Sequence, residues 1–284
     1  MLRKSLVVFL LITSAGLTWA DVGSVISSFR VTSAYASCVD AVYRDSGYVY
    51  CMVWHWVEPH NTYTELQRFT ASGSRVSRKK VEPYSLYDDA DRCHLGSGYF
   101  AVLDGSALTY MVKGTGSVVG SCRVYGPGTT SAVNLAWDGT YYYVGSGATR
   151  GEFRRYTPYG EYAGTWSSAG WPPGLTGCLG TTISHRANGV RGRFLIVTSY
   201  NLDEPSAIIN MWNRKVGTTW RNPAVAYHSA CYGDSSKPGT YGGAVWLGAE
   251  RTDESLWVYE VDIGARGGAP VVPTSVGKVK AIYR

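Results

Sequence analysis

Asn134-Leu-Ala-Trp-Asp-Gly-Thr-Tyr-Tyr-Tyr-Val-Gly-Ser-Gly147 spells out a β-hairpin in chain order. A short apolar run, Asn134 to Trp137, ends at Asp138-Gly139, a dipeptide that readily supplies the positive φ angles of a tight hairpin turn. An aromatic run, Tyr141 to Val144, returns from it. β-Branched and aromatic residues suit the pleated surface of a strand, and no helical i, i+3, i+4, i+7 pattern competes.

The same unit recurs along the chain. Tyr48–Trp54, Gly98–Asp104, Tyr141–Gly147, Arg193–Ser199 and Ala244–Ala249 start 50, 43, 52 and 51 residues apart. Each follows a strand of small or cysteine-bearing residues: Ser37–Tyr43, Arg92–Leu95, Val133–Trp137, Gly177–Thr181 and Ser229–Tyr232. Alternating third strands come next, as in Glu65–Phe69 and Glu152–Tyr156. Glycine turns then lead to fourth strands, as in Ser74–Val76 and Glu161–Trp166. A lone four-stranded meander leaves one face in water, whereas stacking such units radially buries both. The expected fold class is therefore all-β: a β-propeller of about five four-stranded blades supported by disulfides. The blades fall near 33–80, 81–130, 131–174, 175–225 and 226–284, within one domain spanning 21–284. The same length has room for six smaller blades.

Asn134–Gly147 resembles the blade consensus of secreted bacterial propellers of the NHL and YVTN type, a likeness that concerns fold only. Trp137-Asp138 does not close a third strand as a WD40 ending would, and the Ser-x-Asp-x-Gly-x-Thr-Trp box of sialidase-like propellers is missing.

Two terminal segments alternate like strands. Val276–Tyr283 is expected to complete blade five, which leaves Ser24–Val31 spare, free to add to that blade or to cap an outer edge.

The first twenty residues read as an export signal: Arg3 and Lys4, then the apolar run Leu6–Ile12, then Thr18-Trp19-Ala20 before Asp21. The run is too short to span a bilayer comfortably, so the product is expected to be secreted, extracellular or at the cell surface, without stable membrane insertion. Loss of Arg3 and Lys4 lowers the net charge from +6 to +4. The remaining basic residues are scattered except in Arg78-Lys79-Lys80 and the tail, a balance that does not call for nucleic acid.

Six cysteines in an exported chain favour three disulfides. Within the blade frame the expected pairs are Cys38–Cys51, Cys93–Cys122 and Cys178–Cys231, each contributing roughly 2–4 kcal/mol.

Chemistry is sparse. Propeller enzymes gather polar groups around the axis from their first strands, where Asp40, His94, Asn134, His185 and His228 fall, with Asp88, Asp89, Asp91 and Asp234 in adjoining loops. Asp40, Asp91 and His94 are the weak catalytic candidates. A glycosidase needs carboxylates from separate blades, and no later blade repeats one at the matching place. Asp88, Asp89 and Asp91 are weak metal candidates, clustered oxygens without the glycine and distal glutamate of a calcium loop, and read as a solvated acidic turn. No cofactor is expected. Exposed aromatics are the remaining handle: Trp171 beside Pro172-Pro173, Trp56 and Tyr159 are the candidate binding residues.

The expected function is thus a non-catalytic extracellular binding or assembly module. It acts as a homo-oligomer or polymer through its terminal strands, or on an extracellular glycan. A carbohydrate-binding lectin and a polysaccharide hydrolase or lyase using Asp40 are the alternatives.

Overall fold

The computed structural model describes residues 22–31, 36–45, 47–57, 61–81, 87–129, 131–146, 150–176, 178, 180–187, 190–199, 204–221, 225–232, 244–251 and 253–264. They form five antiparallel sheets of four strands each, arranged as a propeller. β1 (Val25–Arg30) comes first in the chain and last in the ring. Blade 1 is β2 (Ala36–Asp45), β3 (Tyr48–Val57), β4 (Asn61–Thr70) and β5 (Arg75–Val81). Blade 2 is β6 (Asp89–Arg92), β7 (Tyr99–Asp104), β8 (Ala107–Val112) and β9 (Val118–Arg123). Blade 3 is β10 (Asn134–Trp137), β11 (Tyr142–Gly145), β12 (Glu152–Tyr156) and β13 (Tyr162–Ser167). Blade 4 is β14 (Gly180–Ala187), β15 (Val190–Thr198), β16 (Pro205–Asn210) and β17 (Val216–Arg221). Blade 5 is β18 (Val225–Tyr232), β19 (Ala244–Arg251), β20 (Leu256–Asp262) and, as its outermost strand, β1.

Period-two alternation accounts for the packing, because each sheet turns one set of side chains toward each neighbouring blade. Five buried clusters result, one per blade interface. Between blades 1 and 2 lie Ala41, Tyr43, Met52, Phe100 and Met111; between blades 3 and 4 lie Ala136, Phe153, Ile183 and Leu195. Outer strands are short of such partners. Six of the seven residues of β5 are exposed.

Ring closure takes one of the two courses expected for Ser24–Val31, addition to blade 5: β1 pairs with β20 from Val25↔Val261 to Arg30↔Trp257, and Gly23 N–H donates to Asp262 O at 2.8 Å. Phe29 is buried among Val39, Val49, Phe69 and Leu256, so β1, laddered into blade 5, packs on blade 1 through a side chain. The backbone at Gly73, φ 88°, runs so close that a Cβ there would meet Phe29 Cβ at 2.3 Å. Val276–Tyr283 lies outside the described residues.

The expected disulfides are also corrected. Cys38, Cys51, Cys93, Cys122 and Cys178 are free thiols. Register explains the first pair. Cys51 faces Val42 whereas Cys38 faces Trp54, which separates the two by about 10 Å along the strands. Cys93 follows β6 and Cys122 lies on β9, with β7 and β8 between, so three strand spacings of about 4.8 Å intervene where a disulfide tolerates a Cα separation of about 6 Å. The Cys231 side chain lies outside the described residues. No described helix is long and apolar enough to cross a membrane.

Candidate functional site

The ring axis is lined by β2, β6, β10, β14 and β18, and it is narrow: β6 approaches not only its neighbours β2 and β10 but also β14 and β18 across the ring. Asp89 and Asp91 stand on β6, fully buried, not in a solvated turn. Asp89 Oδ2 accepts Leu135 N–H and Thr181 N–H, each at 3.0 Å, and the Thr181 hydroxyl at 3.3 Å. Asp91 Oδ2 accepts Trp137 N–H at 3.0 Å and the Thr182 hydroxyl at 3.2 Å, while its Oδ1 accepts Arg92 N–H. The Arg92 guanidinium then donates to the carbonyls of Trp137 and Ile183. Burial pushes both carboxyls above their ordinary range, and the N–H donors pull against that shift. These two acids are pillars that fasten blade 2 to blades 3 and 4. Among the described residues, no group of three or more His, Cys, Asp or Glu is arranged to hold a metal ion.

Asp40 is different. The β2–β3 register slips between Val39 and Ala41, so Asp40 is the extra residue of a β-bulge, a device that re-aims a side chain. Only 6% of it is exposed. The Cys38 thiol donates to Oδ1, and Oδ2 is buried without a hydrogen-bond partner. Burial raises its pKa to about 8, with the nearby Asp88 charge adding to the shift. Asp88, just ahead of β6, accepts Gly105 N–H on Oδ2 and is pushed up to about 6, mainly by burial. Asn134, the first residue of β10, holds a second buried and unpartnered acceptor, Oδ1, next to the Leu135 N–H that Asp89 receives. This end of the axis is acidic.

At the other end of the inner strands the charge reverses. β14 slips register between Ser184 and Arg186, which makes His185 its bulge residue. The His185 side chain is largely exposed, and the part that is buried, with the Arg92 and Arg193 charges nearby, lowers its pKa. Asp138 caps the β10–β11 turn by accepting Thr140 and Tyr141 N–H, and also receives Tyr143 Oη at 3.2 Å and Arg193 Nη1 at 3.1 Å. β18 slips at His228, whose side chain, like Asp234, lies outside the described residues.

His94 leaves the axis altogether. It follows β6, donates its backbone N–H to the Tyr142 hydroxyl oxygen at 3.1 Å, and meets Tyr110 and Tyr159 edge-on at 4.7 and 6.0 Å between ring centres.

The aromatic candidates divide. Trp171 is half-buried against the blade 3–4 core with its indole N–H donated to Leu175 O at 2.8 Å, not the open contact expected. Trp56 is half-exposed, edge-on to Trp54. Tyr159 is 80% exposed and Trp212 is 94% exposed. The last two occupy equivalent tips, the turns between third and fourth strands of blades 3 and 4. Thr157 Oγ1 accepts Glu161 N–H at 3.2 Å in one, and Asn210 Oδ1 accepts Trp212 and Asn213 N–H at 2.9 and 3.2 Å in the other. Met211 N–H to Arg193 O and Trp166 Nε1–H to Met211 O fix the second turn further. Sequence reading singled out Tyr159 but not Trp212. The Asn-x-x-Asn-Arg-Lys turn around Trp212 was the signal available.

No family model matches the chain, and no curated protein matches it. Among solved structures, the crystal structure of Myxococcus xanthus glutaminyl cyclase matches with a TM-score of 0.56 and 11% sequence identity, over 85% of this chain and 97% of that one. At that identity the likeness shows the fold alone.

Proposed function

We propose that the chain is an exported, non-catalytic binding or assembly module whose contact face is the rim of blades 3 and 4, centred on Tyr159 and Trp212. The observation that carries this is the pair of turn tips: two large aromatics, almost wholly exposed, each held by side-chain caps at the same place in consecutive blades. A rigid exposed aromatic offers large contact area at small entropic cost, which suits a protein surface or a sugar ring. Export is supported by the signal-like first twenty residues, and the contacts that close the ring come from residues 23–31, downstream of the cleavage site. Since β1 is engaged with β20, self-assembly would run through open outer edges or the C-terminal segment. Among the described strands, β1, β5, β9, β13 and β17 end their sheets, and their outer rows of N–H and C=O groups have no ladder partner among the described residues.

The lectin reading gains from the same tips, and a hydrolase reading gains from Asp40, whose raised pKa suits a proton donor. The pillar roles of Asp89 and Asp91 count against the hydrolase, since neither has oxygens to spare. Electron microscopy of the secreted protein, with a glycan array run beside it, tests the proposal. Fibres, sheets or a glycan signal that disappear in a Tyr159→Ala/Trp212→Ala double variant are the expected outcome. Assembly and glycan signal both indifferent to that variant would remove the aromatic rim from consideration.

A further inference from the structure

We infer that the tip of blade 4 docks reversibly on an anionic lipid surface at the level of the headgroups, an assignment that rests on the reading of the rim as a contact face. Four turns between third and fourth strands share one plan, in which the first residue's N–H donates to the carbonyl of the last: Thr70 to Ser74, Val112 to Ser117, Thr157 to Glu161 and Asn210 to Lys215. The residue before the last has a positive φ in each. It is Gly73, Gly116 and Gly160 in blades 1 to 3, at 88°, 71° and 84°, but Arg214 in blade 4, at 61°. A side chain is strained in that conformation, and such strain persists where the surroundings over-determine it, characteristically at ligand contacts. Here Arg214 O accepts Ala169 N–H at 2.7 Å, Asn210 Oδ1 accepts Trp212 and Asn213 N–H, and Asn213 Oδ1 accepts Lys215 N–H at 2.9 Å.

Held on that frame, residues 212–215 are all exposed. The adjoining hairpin extends the projection. Met211 N–H donates to Arg193 O at 2.9 Å, which sets the start of β15 beside the turn. Residues 190–193 precede the first pair of β15 with β16, Phe194↔Asn210, and are exposed as well. Trp212 and Val190, at 94% and 58% exposure, thus stand together with four cations, Arg191, Arg193, Arg214 and Lys215. Neither stretch contains an acid. Among the described residues, the one ion pair these cations make is that of Arg193 with Asp138.

The exposure of Trp212 decides between partners. A sugar ring or a peptide draws its affinity from a concave site that buries it between walls and polar groups. A convex tip offers one ring and nothing opposite it. A bilayer interface needs no walls, because it surrounds a protruding indole, and Trp concentrates at that depth through its apolar body and polar N–H. Arginine and lysine beside it meet lipid phosphates, each raising affinity for an anionic surface several-fold. Tyr159 has no such flank, since the exposed Glu161 follows it. Blade 4 is therefore the lipid end of the rim, and a contact of this size is reversible, not an anchor.

Flotation of the full exported chain with vesicles of equal parts phosphatidylglycerol and phosphatidylcholine, and with vesicles of phosphatidylcholine alone, tests this. Binding to the anionic vesicles only, reduced by added sodium chloride, is the expected result. Trp212→Ala should weaken it about tenfold or more, and Arg191→Gln and Lys215→Gln several-fold each. Arg214→Gly separates binding from folding. Glycine suits the turn, so the variant should melt no lower than wild type while its vesicle affinity falls several-fold. Equal binding to neutral vesicles, binding to neither, or full affinity in both Trp212→Ala and Arg214→Gly would each overturn the lipid assignment. So would Trp212-dependent binding of polygalacturonate by a chain that ignores vesicles, which would make the partner an acidic sugar. Assembly or a glycan signal lost in Tyr159→Ala/Trp212→Ala, with no vesicle binding by wild type, would remove the lipid and leave the rim standing.

Discussion

The carboxylate of Asp89 in blade 2 accepts the backbone N–H of Thr181 in blade 4 at 3.0 Å, across 92 positions of sequence. A blade that is not a neighbour in the ring is thereby held by the same oxygen that holds the neighbour, Leu135. Truncating Asp89 to Ala takes the carboxylate acceptor from three interior N–H groups, those of Ala90, Leu135 and Thr181, and from the Thr181 hydroxyl. The expected loss is about 3–5 kcal/mol, read as a lowered urea midpoint. Thr157→Ala, which removes the cap of a single exposed turn, should cost no more than about 1 kcal/mol. Equal losses in the two variants would deny Asp89 its pillar role.

Removing residues 22–31 should prevent folding and not release a free monomer, because β20 would lose its ladder partner and blade 1 its Phe29 contact. Phe29→Ala is the milder form, with an expected cost of about 3–5 kcal/mol from the cavity beside Phe69, whose ring centre lies 5.0 Å away. Size-exclusion chromatography and urea unfolding follow both. A truncated chain that melts like the full one would show that blade 5 stands with three strands.

The repeat was legible in the sequence because it is written locally: Asp138-Gly139 makes its turn and Tyr141–Val144 its strand without help from elsewhere. Ring closure was not. Ser24–Val31 and Val276–Tyr283 alternate alike, and choosing between them requires knowing which one fits between Asp262 and Phe69. The axis was half legible. Asp40, Asn134 and His185 were placed at it from their first-strand positions, but the bulges at Asp40 and His185 are properties of register between strands and leave no mark in one strand's residues. Asp89 and Asp91 read as a solvated turn because their partners are backbone N–H groups of blades 3 and 4, which sequence does not label.

The thiols follow from the same registers. Iodoacetamide applied to the unfolded, unreduced chain should modify Cys38, Cys51, Cys93, Cys122 and Cys178, as mass spectrometry would report. In the native state Cys51 and Cys178 should react slowest, since both are buried and burial raises their thiol pKa. A Cys38–Cys51 crosslinked peptide would require β2 to slide three residues along β3.

The rim aromatics should be dispensable for folding. Tyr159→Ala and Trp212→Ala are each expected to change stability by no more than about 0.5 kcal/mol, whereas Phe153→Ala, buried between blades 3 and 4, should cost about 3–5 kcal/mol. Thermal melts of the three variants make the comparison. A large loss at Trp212 would mean that the tip packs more firmly than its 94% exposure allows.

Asp40 sets a pH dependence whose sign is opposite to that of a salt-bridged acid. Burial raises its pKa from 3.8 to about 8, so between those values the folded chain retains a proton that the unfolded chain has released. Its contribution to stability is complete below about pH 4, declines as pH rises, and levels off above 8. Asp88 acts in the same direction over the narrower window from about 4 to about 6. Subtracting the Asp40→Asn stability curve from the wild-type curve cancels the other groups to first order and isolates this one. The difference should fall by an amount on the order of a few kcal/mol between pH 4 and 8, with wild type the less stable of the two at the alkaline end. Urea midpoints at half-unit intervals from pH 4 to 9 measure it. A flat difference would mean that the Asp40 carboxyl ionises in the ordinary range and that its bulge is open to water.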